Sequence, residues 1–63
     1  MLKFSELLKL MPDEQEVFLI FSDYGVIATK DAMECLLVDE ACEAKVTNIE
    51  ADSGRLKVWV EGK

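Results

Sequence analysis

Val17-Phe18-Leu19-Ile20-Phe21 leads through Ser22-Asp23-Tyr24-Gly25 into Val26-Ile27-Ala28-Thr29. The first five residues are aliphatic, β-branched or aromatic, too few for a free-standing helix and well suited to a strand. Asp23-Tyr24-Gly25 supplies a turn, with Gly25 able to take positive φ, and Val26 to Thr29 returns as a second strand. Successive side chains of a strand point to opposite faces, so Val17, Leu19 and Phe21 go one way and Phe18 and Ile20 the other. A sheet covered on one face alternates apolar and polar residues. This strand does not alternate, so both its faces need cover, and the sequence leaves open which one is inward.

A second hairpin closes the chain. Leu56, Val58 and Val60 alternate with Arg55, Lys57, Trp59 and Glu61, the clearest strand periodicity present. Asp52-Ser53-Gly54 turns into it from a third strand spanning Lys45 to Ala51. Each hairpin follows a helical segment. Ser5 to Met11 places Leu7, Leu8 and Met11 at helical spacing, with Ser5 as the expected cap, and Pro12 stops the helix. Asp31 is the expected cap of a second helix carrying Met33, Leu36 and Leu37, whose end the sequence leaves open between Val38 and Ala44, to which helix formers continue.

Shifting the chain by 29 residues sets Leu7, Leu8, Glu14, Val17, Ile20, Asp23 and Gly25 on Leu36, Leu37, Glu43, Val46, Ile49, Asp52 and Gly54. That register suggests an αββ pseudo-repeat, residues 1–30 and 31–63, within one domain. The expected fold is α+β: an αββαββ chain forming a four-stranded, mostly antiparallel sheet with two helices on one face. Phe18, Ile20 and Trp59 are then left on the other face. A chain of 63 residues has a small core, and a second copy covering that face is the economical expectation. Phe18, Ile20 and Trp59 are the expected homo-oligomer interface.

Thirteen acidic residues against seven basic ones give a net charge of −6. A nucleic-acid binder must displace counterions with Lys and Arg, and Arg55 is the only arginine, so direct nucleic-acid binding is not expected. The acids are uneven: Asp31, Glu34, Asp39, Glu40 and Glu43 lie in one run without a base. Such a run serves solubility or faces a basic partner. The chain shows no stretch of the length needed to cross a membrane and no secretory leader, so a cytoplasmic protein without membrane association is expected.

Chemistry finds little purchase. Histidine is absent, which removes the commonest general acid–base group. Cys35 and Cys42 would stand about 10.5 Å apart on a continuous helix, beyond disulfide reach. With no histidine and no close thiol pair, zinc has no ligand set, and no metal or other cofactor is expected. A nucleophilic cysteine needs a base or cationic neighbour, whereas this run is acidic. Both cysteines are read as structural and apolar, and the protein as not an enzyme. Two surfaces can bind. Asp39, Glu40 and Glu43 can meet a basic partner. Arg55, Lys57 and Trp59 share one face of the last strand, where a cation beside an indole can hold an anionic, nucleotide-like small molecule.

Ser5-x-Leu7-Leu8-x-Leu10-x-Pro12-Asp13, then Val17 and Ile20, then a second Leu-Leu and a closing hairpin, resembles small orphan proteins encoded by bacteriophages and prophages. The resemblance implies an accessory factor, including inhibitors of host defence that occupy an enzyme or sequester a signal nucleotide. It carries over no binding residue. The leading expectation is a non-catalytic phage-type accessory or inhibitor protein acting on a host protein. An oligomeric sponge for a nucleotide-like molecule is the second reading and a structural assembly component the third. If the reading of Cys35 and Cys42 is right, chelator and reductant leave the melting temperature unchanged in differential scanning fluorimetry. A fall of several degrees with either reagent contradicts it.

Overall fold

A computed structural model describes residues 2–21, 24–36 and 39–61; the side chains of Tyr24, Leu36, Asp39 and Glu40 fall outside that description. The elements are α1 (Phe4–Leu8), β1 (Glu16–Phe21), β2 (Tyr24–Thr29), α2 (Lys30–Leu36), α3 (Asp39–Cys42), β3 (Lys45–Asp52) and β4 (Arg55–Glu61). The four strands make one sheet in the order β2-β1-β4-β3. β1 pairs antiparallel with β2, and β3 with β4, while β1 and β4 run parallel at the centre. The fold is therefore α+β, built as two hairpins joined through a central parallel pair.

That pairing dictates where the helices go. β2 and β3 lie at opposite edges of the sheet and run in the same direction, so segment 30–44 must cross the whole sheet between them. A crossover of this kind needs a dozen or more residues and is usually helical. α2 and α3 supply it. The core forms beneath: Phe4, Leu8, Met11, Met33 and Ala44 cluster with Val17 and Leu19 of β1 and Val58 and Val60 of β4, all of them buried. Val17, Leu19 and Phe21 thus form the inward row of β1. Each fully buried side chain of this size contributes about 1.5–3 kcal/mol by leaving water.

The helices are shorter and capped differently from the sequence expectation. α1 begins at Phe4, not Ser5, and Glu6 Oε1 accepts from the Lys3 backbone N–H at 2.9 Å. Phe4 is fully buried, so hydrophobic burial set the first turn where a serine cap was expected. After Leu8 the chain continues as tight turns, Leu10 N–H to Leu7 O at 3.1 Å and Met11 N–H to Leu8 O at 3.0 Å, until Pro12. Thr29, not Asp31, caps α2: Ala32 N–H donates to Thr29 Oγ1 at 3.3 Å. Helix is described over Lys30–Leu36 and Asp39–Cys42, within the span whose end the sequence left open between Val38 and Ala44, and Leu37, expected on its apolar side, lies outside the described residues.

The two hairpin turns also differ from each other. Ser53 (φ 55°) and Gly54 (φ 81°) are both left-handed, the pattern of a two-residue hairpin loop that matches strand twist. Gly25 is not a turn residue. It sits within β2 opposite Ile20, without a left-handed φ, and its lack of a side chain serves the Phe18 ring, which occupies the place its Cβ would take.

β3 carries an irregularity that no strict alternation accommodates. Val46 pairs with Val60 and Asn48 with Trp59, leaving Thr47 as an extra residue. A one-residue bulge moves every later side chain to the other face. Asn48, Glu50 and Asp52 consequently leave the helix side, and Ile49 and Ala51 turn towards it. The pseudo-repeat therefore matches elements but not faces: Ile20 points away from the helices and Ile49 towards them. Ile49 remains 43% exposed because it lies on an edge strand.

Met33 of α2 is completely buried in the cluster. Met33→Ala should cost about 2–5 kcal/mol, the range for emptying a filled core site. Urea denaturation checks this, with Glu34→Ala on the exposed side of the same helix as the mild control.

Candidate functional site

The sheet face opposite the helices is a grid read directly from the strand register. Across β2-β1-β4-β3, one row is Thr29, Glu16, Arg55, Asp52. The next is Ile27, Phe18, Lys57, Glu50, and the third is Gly25, Ile20, Trp59, Asn48. Phe18, Ile20 and Trp59, expected together on one face, do lie together there, on the side without helices. They are half-buried, because neighbours on the grid shelter one another, while Ile27 beside them is 53% exposed. Sequence reasoning missed Ile27. The signal was present in its position two residues after Gly25, which puts it on the same face.

Phe18 and Gly25 are diagonal neighbours, and an aromatic ring laid over a strand glycine covers the backbone that the glycine leaves bare. Two strands thereby share one apolar surface. Beyond it, the ionic groups are already matched. Arg55 Nε donates to Glu16 Oε1 at 3.2 Å across the parallel pair, and Lys57 Nζ lies 3.9 Å from Asp52 Oδ2. The Arg55, Lys57 and Trp59 constellation therefore exists as a geometric unit, but each of its cations faces a carboxylate. An incoming anion would have to displace Glu16 and Asp52.

The acidic trio is less concentrated than its spacing implies. Asp39 and Glu40 belong to α3 by backbone, and their side chains lie outside the described residues. Glu43 follows α3 and pairs with Lys3 Nζ at 2.8 Å, both side chains largely in water. That hydrogen bond and the Glu43 charge hold the Lys3 ammonium above its ordinary value of 10.5. Cys35 stands exposed on α2, contrary to the apolar structural role expected of it, and Cys42 is half-buried on α3. A cysteine is a small hydrophobe by composition, but α2 turns its Met33 side to the core and leaves Cys35 in solvent. Among the described residues, no three Cys, Asp or Glu side chains converge as metal ligands would, and no helix is long and apolar enough to cross a membrane.

Lys30 organises the rim on the helix side. Its Nζ lies 3.3 Å from both Asp13 Oδ1 and Glu34 Oε2, while its backbone N–H donates to Gln15 O at 2.7 Å. Gln15 in turn donates from Nε2 to Gly54 O at 2.9 Å. The turn before β1, the start of α2 and the β3–β4 turn are thus tied together.

No family model matches this chain, and neither a curated protein nor a solved structure matches it.

The hydrogen bond to Glu34, chiefly, raises the Lys30 pKa; partial burial works against it and Asp13 adds to it. A raised pKa in the folded state contributes stability that is complete below the unfolded value of 10.5 and is lost as pH rises through the folded value. The melting temperature of the wild type should therefore fall on the alkaline side of that value, and Lys30→Met should flatten this fall. An alkaline limb of unchanged steepness in the variant contradicts the assignment.

Proposed function

We propose that this is a non-catalytic, cytoplasmic binding protein, a phage-type accessory or inhibitor that docks on a basic surface of a host protein. The observation that supports it is the disposition of charge. Lys3, Lys30, Arg55 and Lys57 are engaged with the chain's own carboxylates. Glu14 and Asp31 stand exposed away from those cations, and the chain carries an excess of −6. A surface of this kind steers and orients a cationic partner, and its pairing weakens with salt. The acidic run from Asp31 to Glu43 is the proposed docking side, with Asp39, Glu40 and Glu43 as its C-terminal end.

The same ion pairs weigh against capture of a small anion by Arg55, Lys57 and Trp59. Co-purification from a bacterial host decides between the two. With tagged protein, a basic host protein should be retained at low salt, released as salt rises, and lost when Asp39, Glu40 and Glu43 are all changed to Lys. Retention of the same partner by that triple variant sinks the proposal. A bound nucleotide-sized mass in native mass spectrometry, lost in Trp59→Ser, favours the sponge instead.

A further inference from the structure

We infer that the helix-free sheet face is the contact between two copies of this chain, related by a two-fold axis running along the strands between β1 and β4. The face differs from the rest of the molecule in charge. It presents Glu16, Glu50, Asp52 and Glu61 against Lys45, Arg55 and Lys57, a net of −1, whereas the chain as a whole carries −6. Repulsion between like copies is therefore weakest through this face.

The grid is also complementary to itself, which a patch selected for an unrelated partner has no reason to be. A rotation about that axis lays β1 of one copy over β4 of the other and keeps each row facing the same row. Glu16 then meets Arg55 of the second copy and Arg55 meets its Glu16, so the ion pair within each chain becomes half of an alternating quartet. In the next row Lys57 lies over the Phe18 ring of the second copy, an attractive cation–π arrangement. In the third, Trp59 packs on Ile20. An axis across the strands through the middle row would instead set Lys57 over Lys57 and Glu50 over Glu50 of the second copy, where like charges repel. The charge pattern thus selects one symmetry operator.

Size fits a weak contact. Four strands about 4.8 Å apart and six residues at about 3.3 Å each give a flat footprint of roughly 400 Å² per copy. The two copies together cover roughly 800 Å², below the roughly 1,000 Å² at which lasting interfaces begin, so association is expected only at high concentration. Aligned sheets pack with their strands about 30° apart, so Ile27 and Glu50 at the margins splay outwards while the central rows stay in contact.

The test uses wild-type protein and two single variants. Light scattering at tens to hundreds of micromolar should give the mass of two wild-type chains. The emission of Trp59, the one tryptophan of the chain, should move to the blue as concentration rises through that range. Glu16→Arg alone and Arg55→Glu alone should each be folded by circular dichroism and monomeric, because like charges then meet across the axis. Mixed in equal amounts, they should form a one-to-one heterodimer, since every carboxylate again faces a cation. A monomeric wild type with concentration-independent emission overturns the inference. So do single variants that stay dimeric, or a mixture of folded monomers that fails to associate. If either variant does not fold, the wild-type mass and the Trp59 emission still decide.

Discussion

The parallel register between β1 and β4 is the constraint on which everything else in this molecule depends. It joins two local hairpins into one sheet, and it sets Val17 and Leu19 beside Leu56 and Val58 on one face. It also separates β2 from β3 by the full width of the sheet. The chain can travel between those edges only across a face, and α2 and α3 make that journey on the side where Val17, Leu19, Val58 and Val60 already lie. α1 reaches the same side by a different tie. Phe4 N–H donates to Ala44 O at 3.0 Å and Val46 N–H to Leu2 O at 2.9 Å, so the start of the chain is fastened to the edge formed by β3. All helical cover is thereby spent on one face.

The uncovered face follows from that allocation. β1 and β4 are central strands, and their outward rows hold Phe18, Ile20 and Trp59 together with Arg55 and Lys57. Left alone, such rows would combine a wet apolar surface with unbalanced cations. Two local devices change this. The Phe18 ring closes over Gly25, and the bulge at Thr47 brings Asn48, Glu50 and Asp52 round beside β4, where Glu50 lies opposite Lys57 and Asp52 opposite Arg55. The bulge is anchored by the Thr47 hydroxyl, which donates to Trp59 O at 3.2 Å. One extra residue thus sets carboxylates beside the cations of a central strand and brings the face close to neutral.

The same bookkeeping of charge separates the surfaces by role. Carboxylates paired with Lys3, Lys30, Arg55 and Lys57 stabilise the fold locally and weakly, as exposed pairs do. Those left over set the long-range field. Among the described residues no polar or charged side chain is fully buried.

The element order, both hairpins, the two-faced character of β1 and the company of Phe18, Ile20 and Trp59 were legible in the sequence, because they rest on period-two alternation and local turn chemistry. Even the Thr47 bulge left a trace, in the spacing of three between Val46 and Ile49 that no regular strand allows on one face. The caps were not legible. By the local rule Ser5 is a better cap than Lys3 and Asp31 as good a one as Thr29, and the choice fell to which register buried Phe4 and Met33. Gly25 was equally ambiguous, since a glycine needed for positive φ and one needed for a neighbouring ring look identical in one dimension. Nor could the sequence place β1 beside β4, or send Ile20 and Ile49 to opposite faces despite their shared position in the repeat. Those outcomes depend on contacts between residues about 39 apart in the chain, where the energy lies in packing and in pairing rather than in any local preference. Composition and periodicity determined what the pieces are; only the tertiary structure decided which side of each piece meets water.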